Sequence, residues 1–374
     1  MLFQKQVLFY KLAIHSSAMK KTLVLKVSPV RPKIEVIRVA ARIIQNGGLV
    51  AFPTETVYGL GVDALNPKAV KAMFKAKKRP PDNPPIIHVA DKNDVYMLAK
   101  KVPKEAEKLM EAFWPGPLTV ILERSKLVPD VTVAGLSTVA IRMPRHKVAL
   151  ALIRESKTPI AAPSANLAGR PSPTTAEHVL KDLNGRIDMV LDGGPTRIGV
   201  ESTVIDLTVK PPQILRPGGT TYEKLVKVLK KVELHPVAVA DKKVKILWAR
   251  SPGVKHRHYA PRAKLILVEG QRKEKVVEKI QELADKFMRE GKKTGVLATD
   301  ETAGGYRADV VKSLGSRRNL RTVAKRLFLC LREFDEDKVE VILAEGVPLK
   351  GLGLAVMNRL RKASGYTIVK ADED

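Results

Sequence analysis

The sequence predicts an α/β protein of two domains: a larger one on a mixed, strongly twisted sheet and a smaller one on a parallel, Rossmann-like sheet with helices on both faces. Three observations carry this. Up to Lys231, short apolar strand patterns interleave with amphipathic helices without strict alternation. From Lys264 onward, strand and helix patterns alternate strictly, as crossover units of a parallel sheet do. Between them, His235 to Arg262 is polar and punctuated by proline and glycine, too long for an ordinary connection. The boundaries expected are an extension at 1–20, a first domain at 21–233, a linker at 234–262 and a second domain at 263–374.

The elements follow in order. Thr22–Val27 reads as a strand, and Met19 just before it marks Met1–Lys20 as an extension or a misassigned start, since Lys5, Lys11 and His15 break any signal-peptide core. Pro32–Asn46 carries Ile37, Ala41 and Ile44 at helical spacing and stops at Gly47-Gly48. Leu49–Phe52 is a buried strand; a helix from Pro67 turns Val70, Met73 and Phe74 inward; Ile86–Val89 is the next strand. Helices around Val95–Leu98 and Pro103–Phe113 follow, the second ended by Trp114-Pro-Gly-Pro117. Strands at Leu118–Leu122 and Thr138–Met143, a helix at Lys147–Glu155 and strands at Pro159–Ala162, near Met189, at Thr203–Leu207 and at Gln213–Leu215 lead to a closing helix, Thr221–Lys231. The second domain reads strand Leu265–Val268, helix Lys273–Arg289, strand Gly295–Ala298, helix Leu320–Phe334, strand Val339–Ala344 and helix Ala355–Lys362.

Composition bounds the partners. Lys and Arg number 67 against 39 Asp and Glu, a net charge of +28, and the paired Lys/Glu enrichment of thermostable proteins does not produce such an excess. Anionic partners are expected: nucleotides, RNA or both. The single cysteine, Cys330, excludes internal disulfides, cysteine-rich zinc sites and iron–sulfur clusters, and fits a reducing cytoplasm. No apolar run approaches a membrane span.

The stretch Pro53-Thr-Glu-Thr-Val-Tyr-Gly-Leu-Gly61 puts hydroxyls and a carboxylate at a strand's carboxyl end, where α/β folds keep ligands, with Lys77 and Arg79 one helix downstream for phosphate or carboxylate. Gly59 and Gly61 would admit close backbone approach or positive φ, but the pair does not open a helix, so a dinucleotide fingerprint is disfavoured. Five further clusters place small hydroxyls, amides or an arginine at strand ends: Asn83-Pro-Pro with His88, Ser137–Arg142, Pro163-Ser-Ala-Asn166 with Ser172, Glu201-Ser-Thr203 and Leu215-Arg-Pro-Gly-Gly219. Each alone reads more readily as satisfied turn chemistry than as a site; together they read as one site. Gly351-Leu-Gly353 reads as a turn before a helix, and no Walker sequence occurs.

Pro53–Gly61, Lys77-x-Arg79-Pro80, Ser164-x-Asn166, Ser202-Thr203 and Arg216-Pro-Gly-Gly219 resemble the YrdC-type domain of the threonylcarbamoyl-AMP synthase family over about Lys33 to Lys231. The linker, with Ser251-Pro-Gly and His258-Tyr-Ala-Pro261, and the second domain resemble that family's longer form. The resemblance implies condensation of L-threonine, bicarbonate and ATP to threonylcarbamoyl-AMP and diphosphate with magnesium. The product then passes to a separate transferase that modifies tRNA beside the anticodon; the net charge of +28 would also suit a weak secondary contact with tRNA. It implies Thr56, His88, Arg142, Ala162, Ser164 and Ser202 around threonine, and Arg79, Asn83, Thr138, Ser172, Arg216 and Tyr259 around the nucleotide. Lys77 and Asn166 match the positions around the phosphates, so Lys77, Arg79 and Asn166 are the expected catalytic set.

The residue chemistry agrees. Arg142 can grip a carboxylate bidentately, Thr56, Ser164 and Ser202 can read a hydroxyl, and Lys77, Arg79 and Arg216 can neutralise phosphate charge. No nucleophile triad is present; His88 is open between substrate holding, general base and core, and Glu55 between an orienting role and a surface carboxylate. Two other classes stay in view. A non-catalytic RNA binder would suit the charge, but aromatics are 5% of the chain, without basic–aromatic alternation. A carbamoyltransferase of the same fold usually brings zinc-finger segments, which one cysteine forbids. The linker's Lys255–Tyr259 run is expected to fold over the first domain's mouth as a lid, Tyr259 touching nucleotide.

Overall fold

The computed structural model describes residues 21–242 and 258–372. The expected extension at 1–20 and the linker's Ser251-Pro-Gly and Lys255–Arg257 therefore lie outside the described residues.

The first domain runs β1 (Leu23–Lys26), α1 (Ile34–Gln45), β2 (Val50–Phe52), β3 (Gly59–Asp63), α2 (Pro67–Lys77), β4 (Ile86–His88), α3 (Asp94–Leu98), α4 (Lys104–Phe113), β5 (Leu118–Glu123) and β6 (Thr138–Arg142). It continues through α5 (Lys147–Ser156), β7 (Ile160–Ala162), α6 (Ala176–Leu183), β8 (Met189–Asp192), β9 (Thr203–Asp206), β10 (Gln213–Arg216), α7 (Tyr222–Leu229), β11 (Glu233–Leu234) and α8 (Pro236–Val239). Its strands form one mixed sheet in the order β1-β8-β2-β3-β7-β4-β6-β5-β9-β10-β11. Alternation along the strands decides which helices cover which face. Val50, Phe52, Met189 and Leu191 pack with Ile37, Ile44, Leu152 and Ile153 of α1 and α5. Ala51 and Val190 point the other way, into the larger core with Val70, Met73 and Phe74 of α2 and Leu183 of α6.

The second domain is β12 (Lys264–Glu269), α9 (Lys273–Arg289), β13 (Thr294–Ala298), β14 (Val310–Ser313), α10 (Leu320–Glu336), β15 (Val341–Glu345), α11 (Leu352–Ala363) and β16 (Ile368–Lys370). Its sheet, ordered β14-β13-β15-β12-β16, is parallel throughout. Ile266, Val268, Val296 and Leu343 face α9, whereas Leu265, Leu267, Leu297 and Ile342 face α10 and α11. This is the expected doubly covered sheet.

Two expectations change. Gly59 and Gly61 lie inside β3, paired with β2, and neither has positive φ. A Cβ on Gly61 would stand 2.7 Å from the Phe52 ring and 2.8 Å from Ile160 Cγ2, so the glycines make room for sheet packing and not for a ligand. The linker expected from 234 is also folded at its start. Leu234 extends the sheet opposite Ile214, and α8 is gripped by the second domain, Asn358 Nδ2 donating to Ala238 O at 3.0 Å and Arg361 Nη1 to Val239 O at 2.6 Å. A two-residue strand is too short to leave a periodic signal.

The domains meet on buried polar contacts as well as apolar ones. Gly199 (φ +84) has α10 against it, a Cβ there falling 2.4 Å from Ala324 O. Arg332 of α10 pairs with Asp182 at 2.8 Å, and Arg359 of α11 with Glu201 at 2.8 Å, the arginine side chains 6% and 0% exposed. Tyr259 stacks on Phe328 with ring centroids 5.3 Å apart.

Candidate active site

The site is assembled from loops at the strand ends near the middle of the large sheet. β2 delivers Thr54-Glu-Thr56, β4 ends at His88 and β6 at Arg142, with His88 and Arg142 paired in register. β7 ends at Ala162 and leads to Ser164, β9 is preceded by Ser202, and β10 ends at Arg216. α2 is capped at its start by Asn66, whose side chain accepts from the amides of Lys68 and Ala69. It stops at Lys78 in the left-handed region (φ +50), which turns Arg79 back toward the sheet.

Lys77, Arg79, Ser164, Asn166, Arg216 and Tyr259 line one small cavity of about 30 Å³, together with Glu201 and His258. Arg79 Nε donates to Asn83 O at 2.9 Å and Nη2 to Pro84 O at 3.4 Å. Arg216 donates from Nε and Nη2 to Ser202 O at 3.1 and 3.0 Å, and from Nη2 to Ser202 Oγ at 3.2 Å. These cations are thus held by neutral carbonyls, which fix their geometry without spending their charge. Lys77 Nζ donates to the carbonyls of Ser164 and Asn166 and so also braces the loop after β7. Burial, with Arg79 nearby, holds its ammonium well below the usual lysine range, and burial brings Arg79 down to about 10. Packing cations this closely favours an anionic occupant.

Glu201 is the acid in this wall. Burial would push its carboxyl up, but Arg359 and Arg216 outweigh that and hold it below the usual range. Ser172 Oγ donates to it at 2.5 Å. Arg359 also donates from Nη1 to Pro217 O at 2.7 Å and lies 5.4 Å from the Tyr259 ring centroid. Tyr259 adopts φ +65, and its neighbour Ala260 donates its amide to Gly169 O at 2.8 Å. The 258–261 segment therefore lies across the cavity, fastened to both domains. Asn83 Nδ2 and His258 Nε2 are 3.4 Å apart, joining a further expected nucleotide residue to that segment.

Of the threonine set, Thr56, His88, Arg142, Ala162 and Ser202 are buried and Ser164 is partly exposed. Thr56 Oγ1 lies 2.8 Å from Thr54 Oγ1, and Ser202 Oγ lies 2.8 Å from Thr119 Oγ1. His88 Nδ1 is 3.1 Å from Ile86 O, and its ring meets Phe52 edge-on at 6.2 Å. Burial, reinforced by Arg142, lowers its pKa to about 3, so it stays neutral at physiological pH and is a poor general base. Arg142 donates from Nε to Gly116 O at 3.2 Å, and its Nη2 lies 2.8 Å from Glu55 Oε1. Glu55 is therefore 4% exposed and not a surface carboxylate. A larger, open cavity of about 930 Å³ lies beyond Thr54, bordered by Lys26, Arg31, His146 and Arg197.

Thr138, expected at the nucleotide, does not line the small cavity. It opens β6 opposite Glu123, four residues from Arg142 along an extended strand, or about 13 Å. Sequence reasoning missed Arg359 and Lys362 of α11, both buried in this wall, with Lys362 brought to about 7 by burial and by Arg359 and Arg216. Nothing in the local pattern separates them from the solvated face of an ordinary helix. Among the described residues, no group of three or more His, Cys, Asp or Glu is disposed to hold a metal ion, and no helix is long and apolar enough to cross a membrane.

Residues 42–218 match the family model described as "Telomere recombination", and residues 220–365 the model described as "Threonylcarbamoyl-AMP synthase, C-terminal domain". A threonylcarbamoyl-AMP synthase of Pyrococcus abyssi is 57% identical over 91% of this chain and 98% of its own length. One of Bacillus subtilis is 51% identical over 88% of this chain and 93% of its own. The crystal structure of P. abyssi Sua5 complexed with L-threonine superposes with a TM-score of 0.89 at 54% identity, covering 93% of this chain and 99% of that one.

Proposed function

The chain belongs to the threonylcarbamoyl-AMP synthase family, in its two-domain form, and on that premise we propose how its residues divide the work. The protein condenses L-threonine, bicarbonate and ATP to threonylcarbamoyl-AMP and diphosphate, the activated intermediate for tRNA modification. In mechanistic class it is a nucleotidyltransferase. An oxygen of the threonine carbamate attacks the α-phosphorus, the bond to the bridging oxygen breaks, and diphosphate leaves.

The observation that supports this division is the convergence of Lys77, Arg79, Asn166 and Arg216 on one buried cavity, with the buried hydroxyl of Ser202 held against Arg216. The step brings two anions together, so the site's task is positioning and charge neutralisation. Arg79 and Arg216 hold fixed cationic forks toward the phosphates. Lys77 regains its proton's stability as the triphosphate arrives, because an anion at contact offsets the burial that depresses it. Magnesium bound with ATP would neutralise part of the phosphate charge. Glu201, the carboxylate beside the phosphate site, would be the residue to hold such an ion, exchanging a contact with Ser172 or Arg359 to do so. A cavity of about 30 Å³ cannot admit a nucleotide, so the segment bearing His258 and Tyr259 lifts for ATP and returns to exclude water. The same motion releases the product to the transferase that uses it.

Substrate choice tests the threonine side. A pocket that pairs the substrate hydroxyl with buried partners rejects an analogue lacking that hydroxyl more strongly than one lacking a methyl. Serine is expected to exceed 2-aminobutyrate in kcat/KM by about a hundredfold. Preference for 2-aminobutyrate would mean that the pocket reads shape and not the hydroxyl.

A further inference from the structure

Glu55 and Arg142 form a buried pair that is chemically unfinished. Their side chains are 6% and 4% exposed, with Glu55 Oε1 and Arg142 Nη2 at 2.8 Å. Yet Oε1, Oε2 and Nη2 all lack an aligned hydrogen-bond partner. A buried ion pair holds its own against desolvation only when further hydrogen bonds satisfy its remaining lone pairs and protons. Each member carries hydrogen-bonding capacity of the opposite kind, an acceptor oxygen and a donor nitrogen, so the ligand that completes both presents an ammonium and a carboxylate a few ångströms apart. That is an amino acid zwitterion. The adjoining Thr56 hydroxyl, in contact with that of Thr54, supplies a side-chain partner.

We propose that Glu55 binds the ammonium of the threonine substrate and takes a proton from it, while Arg142 holds the carboxylate. This rests on the synthase reading and deepens it. An ammonium nitrogen has no lone pair for attack, so one proton must leave first. Glu55 carboxylate accepts it, giving a free amine and a carboxylic acid. The amine nitrogen then bonds to the carbon of bicarbonate, the C–OH bond of bicarbonate breaks, and the departing hydroxide leaves as water with a second amine proton. The products are the threonine carbamate, one water and protonated Glu55. His146 borders the open cavity and lies within the field of the Glu55 charge.

The test compares two ligands by calorimetry on the full chain: L-threonine, and 2,3-dihydroxybutanoate, in which a hydroxyl replaces the ammonium. Wild-type protein should prefer threonine strongly. Glu55→Gln should weaken threonine by at least about 30-fold, as removal of one partner from a buried charge pair does, and leave 2,3-dihydroxybutanoate within about threefold. Equal weakening of both ligands would reduce Glu55 to a brace for Arg142 and overturn the assignment, as would unchanged threonine binding. If Glu55→Gln does not fold, Glu55→Asp replaces it. That variant keeps the charge but shortens its reach, so threonine should weaken and the analogue should not; the same two outcomes overturn the assignment. Wild-type protein that binds neither ligand would overturn the synthase reading itself and this assignment with it, whereas threonine binding by wild type confines any failure to Glu55.

Discussion

Replacing Arg79 with alanine is expected to lower adenylate synthesis by about 10²- to 10³-fold, the scale for removing one preorganised donor from a site where charge develops. Arg79 is 9% exposed, its fork is held by Asn83 O and Pro84 O, and at about 10 its pKa leaves it cationic at neutral pH. Its charge is opposed by Arg216 across the same cavity. Losing it therefore relieves repulsion in the empty enzyme, and the cost falls on the phosphates in the transition state. Steady-state diphosphate release by a folded Arg79→Ala protein measures this. Near-normal turnover would remove Arg79 from the mechanism.

Arg359→Met is expected to destabilise the chain by about 3–5 kcal/mol, because it strands the buried Glu201 carboxylate. The arginine is fully buried and gives Glu201, Pro217 O and the Tyr259 ring a common partner. Its loss should also weaken ATP, since Glu201 and Tyr259 both line the nucleotide cavity. Thermal denaturation reads the first effect and the KM for ATP the second. Adding Glu201→Leu to Arg359→Met should recover much of the stability, as replacing a buried pair by apolar groups does, without recovering ATP binding. An unchanged melting temperature in Arg359→Met would mean that the ion pair does not hold the domains.

Much of the site was legible because strand-end chemistry breaks apolar runs in sequence. His88 after Ile86-Ile87 and Arg142 after Val139-Ala-Ile141 are polar residues where a buried strand has just ended, and they prove to be register partners. Tyr259 was legible because the run around it resembles neither a flexible nor a stiff tether, and the structure buries it against Phe328. Gly59 and Gly61 misled, because a glycine pair looks the same whether it clears space for a ligand or for the ring of Phe52. Glu55 was ambiguous, since burial of a carboxylate depends on a partner 87 residues away in sequence. Arg359 was invisible: Asn358-Arg-Leu-Arg-Lys362 reads as a solvated helix face until the first domain is set against it. Long-range pairings of this kind leave no local period.

One site joins threonine, bicarbonate and ATP. Diphosphate release by the full chain, with each of the three omitted in turn, is the decisive measurement. Release is expected only when all three are present, matched one for one by threonylcarbamoyl-AMP. Diphosphate release that proceeds equally well without threonine or bicarbonate, or no release with all three and magnesium present, would contradict it.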